Sequence, residues 1–189
     1  MTLLKITGTL LLLVVGLGQL TACGPTDSTP SRSSASYDAV PRRPELEHYR
    51  QSFLYDAERW GAAIPSAIVA SLTNLELTDQ LPEMTLGRCI RKGNEGDRKI
   101  EITFPELWPS EYPSIERFKF VVYHELGHCF LNLGHSPGTA LAIMRSPSPL
   151  NEEVATIDWT ALLTQLFTTK EVTTERLPDN EPLQKLPDN

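Results

Sequence analysis

Three of the four histidines in this 189-residue chain lie within one stretch of twelve residues, HELGHCFLNLGH, from His124 to His135. On a helix, residues four apart project from the same face, so His124 and His128 present two imidazoles to one point. Glu125 follows the first histidine and can reach a water molecule held at that point. Catalytic zinc sites use three protein ligands and leave the fourth position to water. The H-E-x-x-H spacing therefore predicts a zinc site in which Glu125 is the base.

His135 is the predicted third ligand, and the chain must turn back after the helix to deliver it. Asn132 is one of the few non-glycine residues that tolerate the left-handed conformation in which helices end. Glu152 and Glu153, which lie 24 and 25 residues after His128, are an alternative source of the third ligand, as in the gluzincin arrangement. The other interpretation of this acidic pair is a first helical turn stabilised by negative charge.

The stretch from about Val121 to Pro149 resembles the metzincin clan of zinc metallopeptidases, and most of all its small matrixin-type members. The clan pattern is H-E-x-x-H-x-x-G-x-x-H followed by a Met-turn. By this resemblance the zinc ligands, the base and the methionine beneath the metal are His124, His128, His135, Glu125 and Met144. Six residues separate the second and third ligands where the clan has five, and Leu131 stands at the glycine position. A helix one residue longer, with Asn132 in the role of glycine, accommodates the extra residue.

The resemblance implies an α+β zincin fold in which a mixed, twisted sheet packs on the active-site helix. It also implies an endopeptidase that hydrolyses a peptide or protein through a zinc-bound water activated by Glu125. In metzincins an extended substrate pairs with an edge strand, and the run KIEITF at residues 99–104 is the expected edge strand. The alternative is a non-catalytic zincin-like binding or envelope assembly module. The intact Glu125 favours the enzyme.

The elements that must position the site are predicted from periodicity and turn residues. Amphipathic helices are predicted over residues 46–60, 114–132 and 151–167. The runs at 66–77 and 84–90 favour strands, and the turn residues 93–97 predict a hairpin that leads into the strand at 99–104. His48 lies away from the apolar stripe of the first helix and is predicted to have no chemical role.

The N-terminus predicts a lipoprotein signal peptide over residues 1–22. It has an early cation, Lys5, then an apolar run too short to span a bilayer comfortably, then small residues before Cys23. This ending resembles the lipobox of bacterial lipoproteins, which implies that Cys23 is lipidated and anchors the chain to the membrane of the cell envelope. Gly24 rather than aspartate follows, which favours the outer membrane of a Gram-negative bacterium. An ordinary secretion signal or an uncleaved anchor is the alternative.

Composition divides the rest of the chain into a Ser- and Pro-rich tether at 23–44, one catalytic domain at 45–170 and a frayed tail at 171–189. A chain of 189 residues supports one such domain, which is expected to be a monomer. The net charge of −7 and the pI near 5.1 argue against a nucleic-acid surface, because no basic run is present to neutralise phosphates.

The cysteines predict one disulfide bond. An exported protein meets an oxidising compartment, and with Cys23 assigned to the lipid, Cys89 and Cys129 are left to pair. Two separate buried thiols are the alternative.

Overall fold

The computed structural model describes residues 37–92, 96–109, 111–136 and 141–168. Within them lie five α-helices and three strands, in the order α1 Leu46–Arg59, α2 Ser66–Ser71, β1 Leu72–Thr78, β2 Gly87–Arg91, β3 Arg98–Thr103, α3 Ile115–Leu131, α4 Asn151–Val154 and α5 Trp159–Thr168. The predicted signal peptide, Cys23, most of the tether and the 171–189 tail lie outside these residues. None of the described helices is long and apolar enough to cross a bilayer.

The strands form a small mixed sheet in the order β1-β3-β2, which confirms the predicted α+β class. β1 pairs with β3 in parallel and β2 pairs with β3 in antiparallel register, so Ile100 lies between Leu75 and Cys89. The predicted hairpin is therefore present between β2 and β3, although its turn residues 93–95 lie outside the described part. The prediction that 99–104 is an edge strand is wrong. β1 pairs with the second side of β3, so β3 is the central strand and β1 and β2 are the two edges of the sheet.

The helix that carries the histidines packs against the inner face of this sheet. Ile100 and Ile102 of β3 are fully buried in one core with Val122 and Leu126 of α3. Residues alternate faces along a strand. Accordingly, Lys99 and Glu101, on either side of Ile100, lie on the opposite face. Lys99 forms ion pairs with Glu76 and Glu101, and Glu101 also pairs with Arg88.

α3 begins and ends where the sequence predicts. The hydroxyl of Ser114 accepts a hydrogen bond from the backbone N–H of Arg117, as an N-cap should. Asn132 ends the helix with φ 55° and ψ 34°, in the left-handed region. α1 packs across the outer side of α3, where the rings of Phe53 and Tyr123 meet edge to face at 5.2 Å.

Two predicted elements differ from the structure. The run at 66–77 begins as helix α2, after Pro65, and becomes strand only at Leu72. The single helix predicted over 151–167 is two helices, α4 and α5, separated by residues 155–158. The carboxylate of Asp158 accepts hydrogen bonds from the backbone N–H groups of Thr160 and Ala161. It therefore begins a new helix rather than continuing the old one.

Part of the segment predicted to be the tether belongs to the described fold. The backbone N–H of Val40 donates to the carbonyl of Pro113, and that of Ile115 donates to the carbonyl of Asp38. The side chain of Val40 is 2 % exposed. Residues 38–40 thus lie against the start of α3 and add to the packing around it.

Candidate metal centre

Three imidazoles converge at the C-terminal half of α3. His124 and His128 are one turn apart on the helix and buried, and His135, four residues beyond the helix end, is half-buried. The Nε2 atom of His128 lies 2.8 Å from that of His124 and 3.2 Å from that of His135. Nitrogen ligands about 3.3 Å apart are what tetrahedral zinc requires at its usual bond length of about 2.0–2.1 Å. Among the described residues, this is the one group of histidine, cysteine and acidic side chains arranged to hold a metal ion.

Two backbone carbonyls set the tautomers of the helical histidines. The Nδ1 of His124 lies 2.7 Å from the carbonyl oxygen of Ile143, and the Nδ1 of His128 lies 2.7 Å from that of Leu133. A carbonyl oxygen only accepts, so each Nδ1 carries the proton and each neutral ring has a lone pair on Nε2. The 2.8 Å contact between these Nε2 atoms is therefore not a hydrogen bond. Two lone pairs at this distance repel unless a cation lies between them, so the geometry fits a metal ion.

Burial keeps these rings in the neutral form that binds metal. It lowers the pKa of His124 well below the usual value, and the neighbouring His128 and His135 act in the same direction. Burial also lowers the pKa of His128 to about 4, against the opposing effect of its hydrogen bond to the Leu133 carbonyl. At neutral pH the two helical rings are therefore uncharged and able to bind a metal ion.

Glu125, the residue after His124, adds a buried carboxylate to the same helix. Its side chain is 0 % exposed and packs against β2. Burial raises the pKa of Glu125 to about 8, and the backbone N–H of Cys89 acts in the opposite direction. Neither carboxylate oxygen makes a hydrogen bond of good geometry to any residue that the structure describes. Because a buried polar atom without a partner costs about 1–3 kcal/mol, this carboxylate is suited to a polar ligand that arrives from outside.

The turn after α3 delivers His135 in the way that the sequence predicts. The left-handed Asn132 reverses the chain, and the next N–H, of Leu133, donates back to the carbonyl of Gly127 at 3.3 Å. The carbonyl of Leu133 is the one that fixes the tautomer of His128. The extra residue relative to the clan pattern is thus absorbed in the helix and its cap.

The left-handed cap leads to a prediction about stability. We expect Asn132→Ala to lower the free energy of unfolding by about 1 kcal/mol, because alanine tolerates positive φ poorly. Asn132→Gly should match the wild type or exceed it, since the Asn132 side chain is exposed and glycine adopts this conformation freely. Denaturant unfolding of the three proteins measures the difference. Equal losses in both variants would contradict a backbone origin.

Met144, the methionine that the resemblance places beneath the metal, packs against α3 at Gly127. A Cβ atom added to Gly127 would come within 2.5 Å of the Met144 sulfur, so the two residues are in close contact. The preceding residue, Ile143, supplies the carbonyl that binds the His124 ring, and the carbonyl of Met144 accepts the N–H of Ser136 at 2.7 Å. Residues 137–140, between the third histidine and this turn, lie outside the described part.

The alternative acidic ligands lie elsewhere. Glu152 and Glu153 occupy the first turn of α4, and one oxygen of Glu153 accepts the N–H of Leu150 at 2.8 Å while the other faces Arg145 at 3.5 Å. Neither carboxylate belongs to the metal-binding group formed by the described histidines. This is the stabilising role at a helix N-terminus that the sequence offered as the other interpretation.

Two features join β2 to α3 beside Glu125. The predicted disulfide between Cys89 and Cys129 is present, and it links the strand to the helix at a Cα–Cα distance of 5.7 Å. Gly87, which sequence reasoning missed, lies directly against the side chain of Glu125. The signal was a lone glycine inside a strand-forming run, which often marks the close approach of another group.

Comparisons with protein-family models, with curated proteins and with solved structures find no match to this chain.

Proposed function

We propose that this protein is a zinc-dependent metallopeptidase with a zincin-like fold, anchored to the bacterial envelope through Cys23. One arrangement carries the proposal, namely two imidazole lone pairs that face each other 2.8 Å apart on α3. A third imidazole lies within reach, and the unsatisfied, buried carboxylate of Glu125 is one residue away along the chain. Burying these groups without a ligand costs free energy, and a bound cation relieves that cost.

Each side chain has a defined task in peptide hydrolysis. His124, His128 and His135 would hold zinc, which when bound supplies Lewis-acid chemistry by polarising a carbonyl and lowering the pKa of water. Glu125 accepts a proton from the attacking water and delivers it to the nitrogen of the leaving amine. The C–N bond breaks as the proton arrives, and the hydroxyl stays on the carbonyl carbon.

The free edge of β2 suits an extended peptide as the substrate. β2 is paired with β3 on one side, and in the described part of the chain no strand pairs with its other side. This edge runs beside the base, because Gly87 of β2 touches Glu125. An extended peptide that pairs with β2 would bring its main chain alongside that carboxylate, as β-strand addition does elsewhere. We therefore assign to β2 the pairing with an extended substrate that was predicted for β3.

Removal and return of the metal test the proposal. We expect the full-length protein, purified in detergent, to cleave an unfolded, carboxymethylated polypeptide at internal bonds that mass spectrometry identifies. Dialysis against a chelator should abolish the cleavage, one equivalent of zinc should restore it, and magnesium should not, because imidazole ligands suit zinc. One bound zinc without any cleavage would instead support a binding or assembly module. No stoichiometric zinc would contradict the proposal.

A further inference from the structure

The interface between β2 and α3 holds a contact that admits no side chain. A Cβ atom at Gly87 would lie 2.8 Å from both the Cγ and the Oε1 atoms of Glu125, and 3.1 Å from its Cδ. The backbone of Gly87 is ordinary strand outside the positive-φ region, so its conformation does not require glycine. Glycine is required instead because the Glu125 side chain leaves no space for a Cβ atom.

The disulfide fixes the strand at the same interface. Cys89 follows Gly87 by two residues on one face of the strand, an advance of about 6.7 Å. Cys129 follows Glu125 by four residues on one face of the helix, an advance of about 6.0 Å. The glycine–glutamate contact and the disulfide are therefore neighbours in matching register. With the two Cα atoms of the disulfide 5.7 Å apart, β2 cannot move away from α3 at this point while the bond is intact.

We propose that Gly87 and the Cys89–Cys129 disulfide together position the carboxylate of Glu125, an inference that rests on the proposed function. The disulfide holds the strand at a set distance from the helix, and the missing Cβ of Gly87 leaves room for one orientation of the glutamate side chain. A larger residue at position 87 cannot push the strand outward, so the glutamate must move instead. Gly87 and the disulfide are positioning elements that act through Glu125.

The first test is a double-mutant cycle on the rate of hydrolysis of the full-length protein. We expect Gly87→Ala to lower kcat on the order of a hundredfold, as small misplacements of a reacting group do, with KM and one bound zinc retained. In the double variant Cys89→Ala with Cys129→Ala the strand can move away from the helix. Gly87→Ala should therefore lower kcat only about threefold or less in that background. Equal losses in both backgrounds would overturn the role of the disulfide. Lys99→Ala on the central strand β3 is the control, because its side chain pairs with Glu76 and Glu101 on the other face of the sheet.

The second test does not use activity. Glu125→Ala removes the three atoms that a Cβ at position 87 would meet, so Gly87→Ala should lower Tm by several degrees in the wild type and hardly at all in Glu125→Ala. Equal shifts in both backgrounds would overturn the contact and the proposal with it. A protein that hydrolyses nothing contradicts the proposed function and the catalytic part of this inference. The Tm cycle would then still decide whether Gly87 makes room for Glu125.

Discussion

Replacement of His135 with alanine is expected to abolish the zinc that survives dialysis, whereas Glu152→Ala should keep one ion per chain. The reason is the number of ligands that can meet. Two imidazoles on one helix leave zinc a protein ligand short of the three that catalytic sites use. The His135 ring nitrogen is 3.2 Å from that of His128, while Glu152 is an exposed residue in the first turn of α4.

Metal analysis of the dialysed, full-length proteins measures this difference directly. His48→Ala is the matched control, since His48 is the remaining histidine and lies exposed on α1. Zinc also stabilises any fold that holds it, by about 2.7 kcal/mol at a concentration one hundred times its Kd. The wild type, His48→Ala and Glu152→Ala should therefore gain Tm on addition of zinc, and His135→Ala should not. If Glu152→Ala lost its zinc and His135→Ala kept it, the third ligand would be Glu152 and not His135.

The parts of the fold that could be predicted from sequence are those set by local chemistry. The helix from Ile115 to Leu131 has a hydroxyl at its N-cap, Ser114, and a residue that tolerates positive φ at its C-cap, Asn132. Both signals act within a few residues of the backbone groups that they satisfy. The same is true of the spacing between His124 and His128, because the pitch of a helix alone brings them together.

Strand order could not be predicted from the same signals. The alternation of Ile100 and Ile102 with polar residues indicates one buried face, and it says nothing about which strands lie to either side. β3 becomes central because β1, more than twenty residues earlier in the chain, pairs with it in parallel. Such pairings depend on how helices and strands pack over long sequence distances, which strand propensity does not encode.

The break between α4 and α5 shows a local signal that outweighs a longer periodic pattern. Apolar residues at helical spacing run through residues 151–167, and they favour one helix. Asp158 nevertheless binds the N–H groups that follow it, and a short acidic side chain at such a position is a start signal. The periodic pattern continues across the break because both helices bury their apolar side, including Val154 and Leu162, in the same domain.

The candidate site likewise has one part that could be predicted from the sequence and one part that could not. The three histidines and Glu125 are adjacent in sequence, so their grouping could be predicted from spacing and the turn at Asn132. The contact of Glu125 with Gly87 joins residues 38 positions apart, and it exists only once β2 is placed on α3. The position of Glu125 could thus be predicted from the sequence, whereas its orientation depends on a tertiary contact for which the only sequence signal is a lone glycine.

Glu125→Gln should distinguish the proposed role of Glu125 as the base from metal binding more cleanly than any other substitution in the site. Glutamine has nearly the same shape as glutamate, so it fits the space beside Gly87, but its amide cannot accept the proton of the attacking water. We expect kcat to fall about 10²–10⁴-fold, the range that general-base catalysis contributes, with one zinc retained per chain. Single-turnover cleavage of the unfolded polypeptide and metal analysis of the same sample give both numbers.

Glu125→Asp tests the placement of the carboxylate, because it keeps the charge and shortens the side chain by one methylene. The carboxylate would then be drawn back toward α3, away from the position where Gly87 makes room for it. A loss of kcat comparable to that of Glu125→Gln would mean that the placement of the carboxylate matters as much as its charge. Activity close to wild type in Glu125→Gln would remove Glu125 from the reaction. Loss of zinc from that variant would instead make this carboxylate part of the metal site.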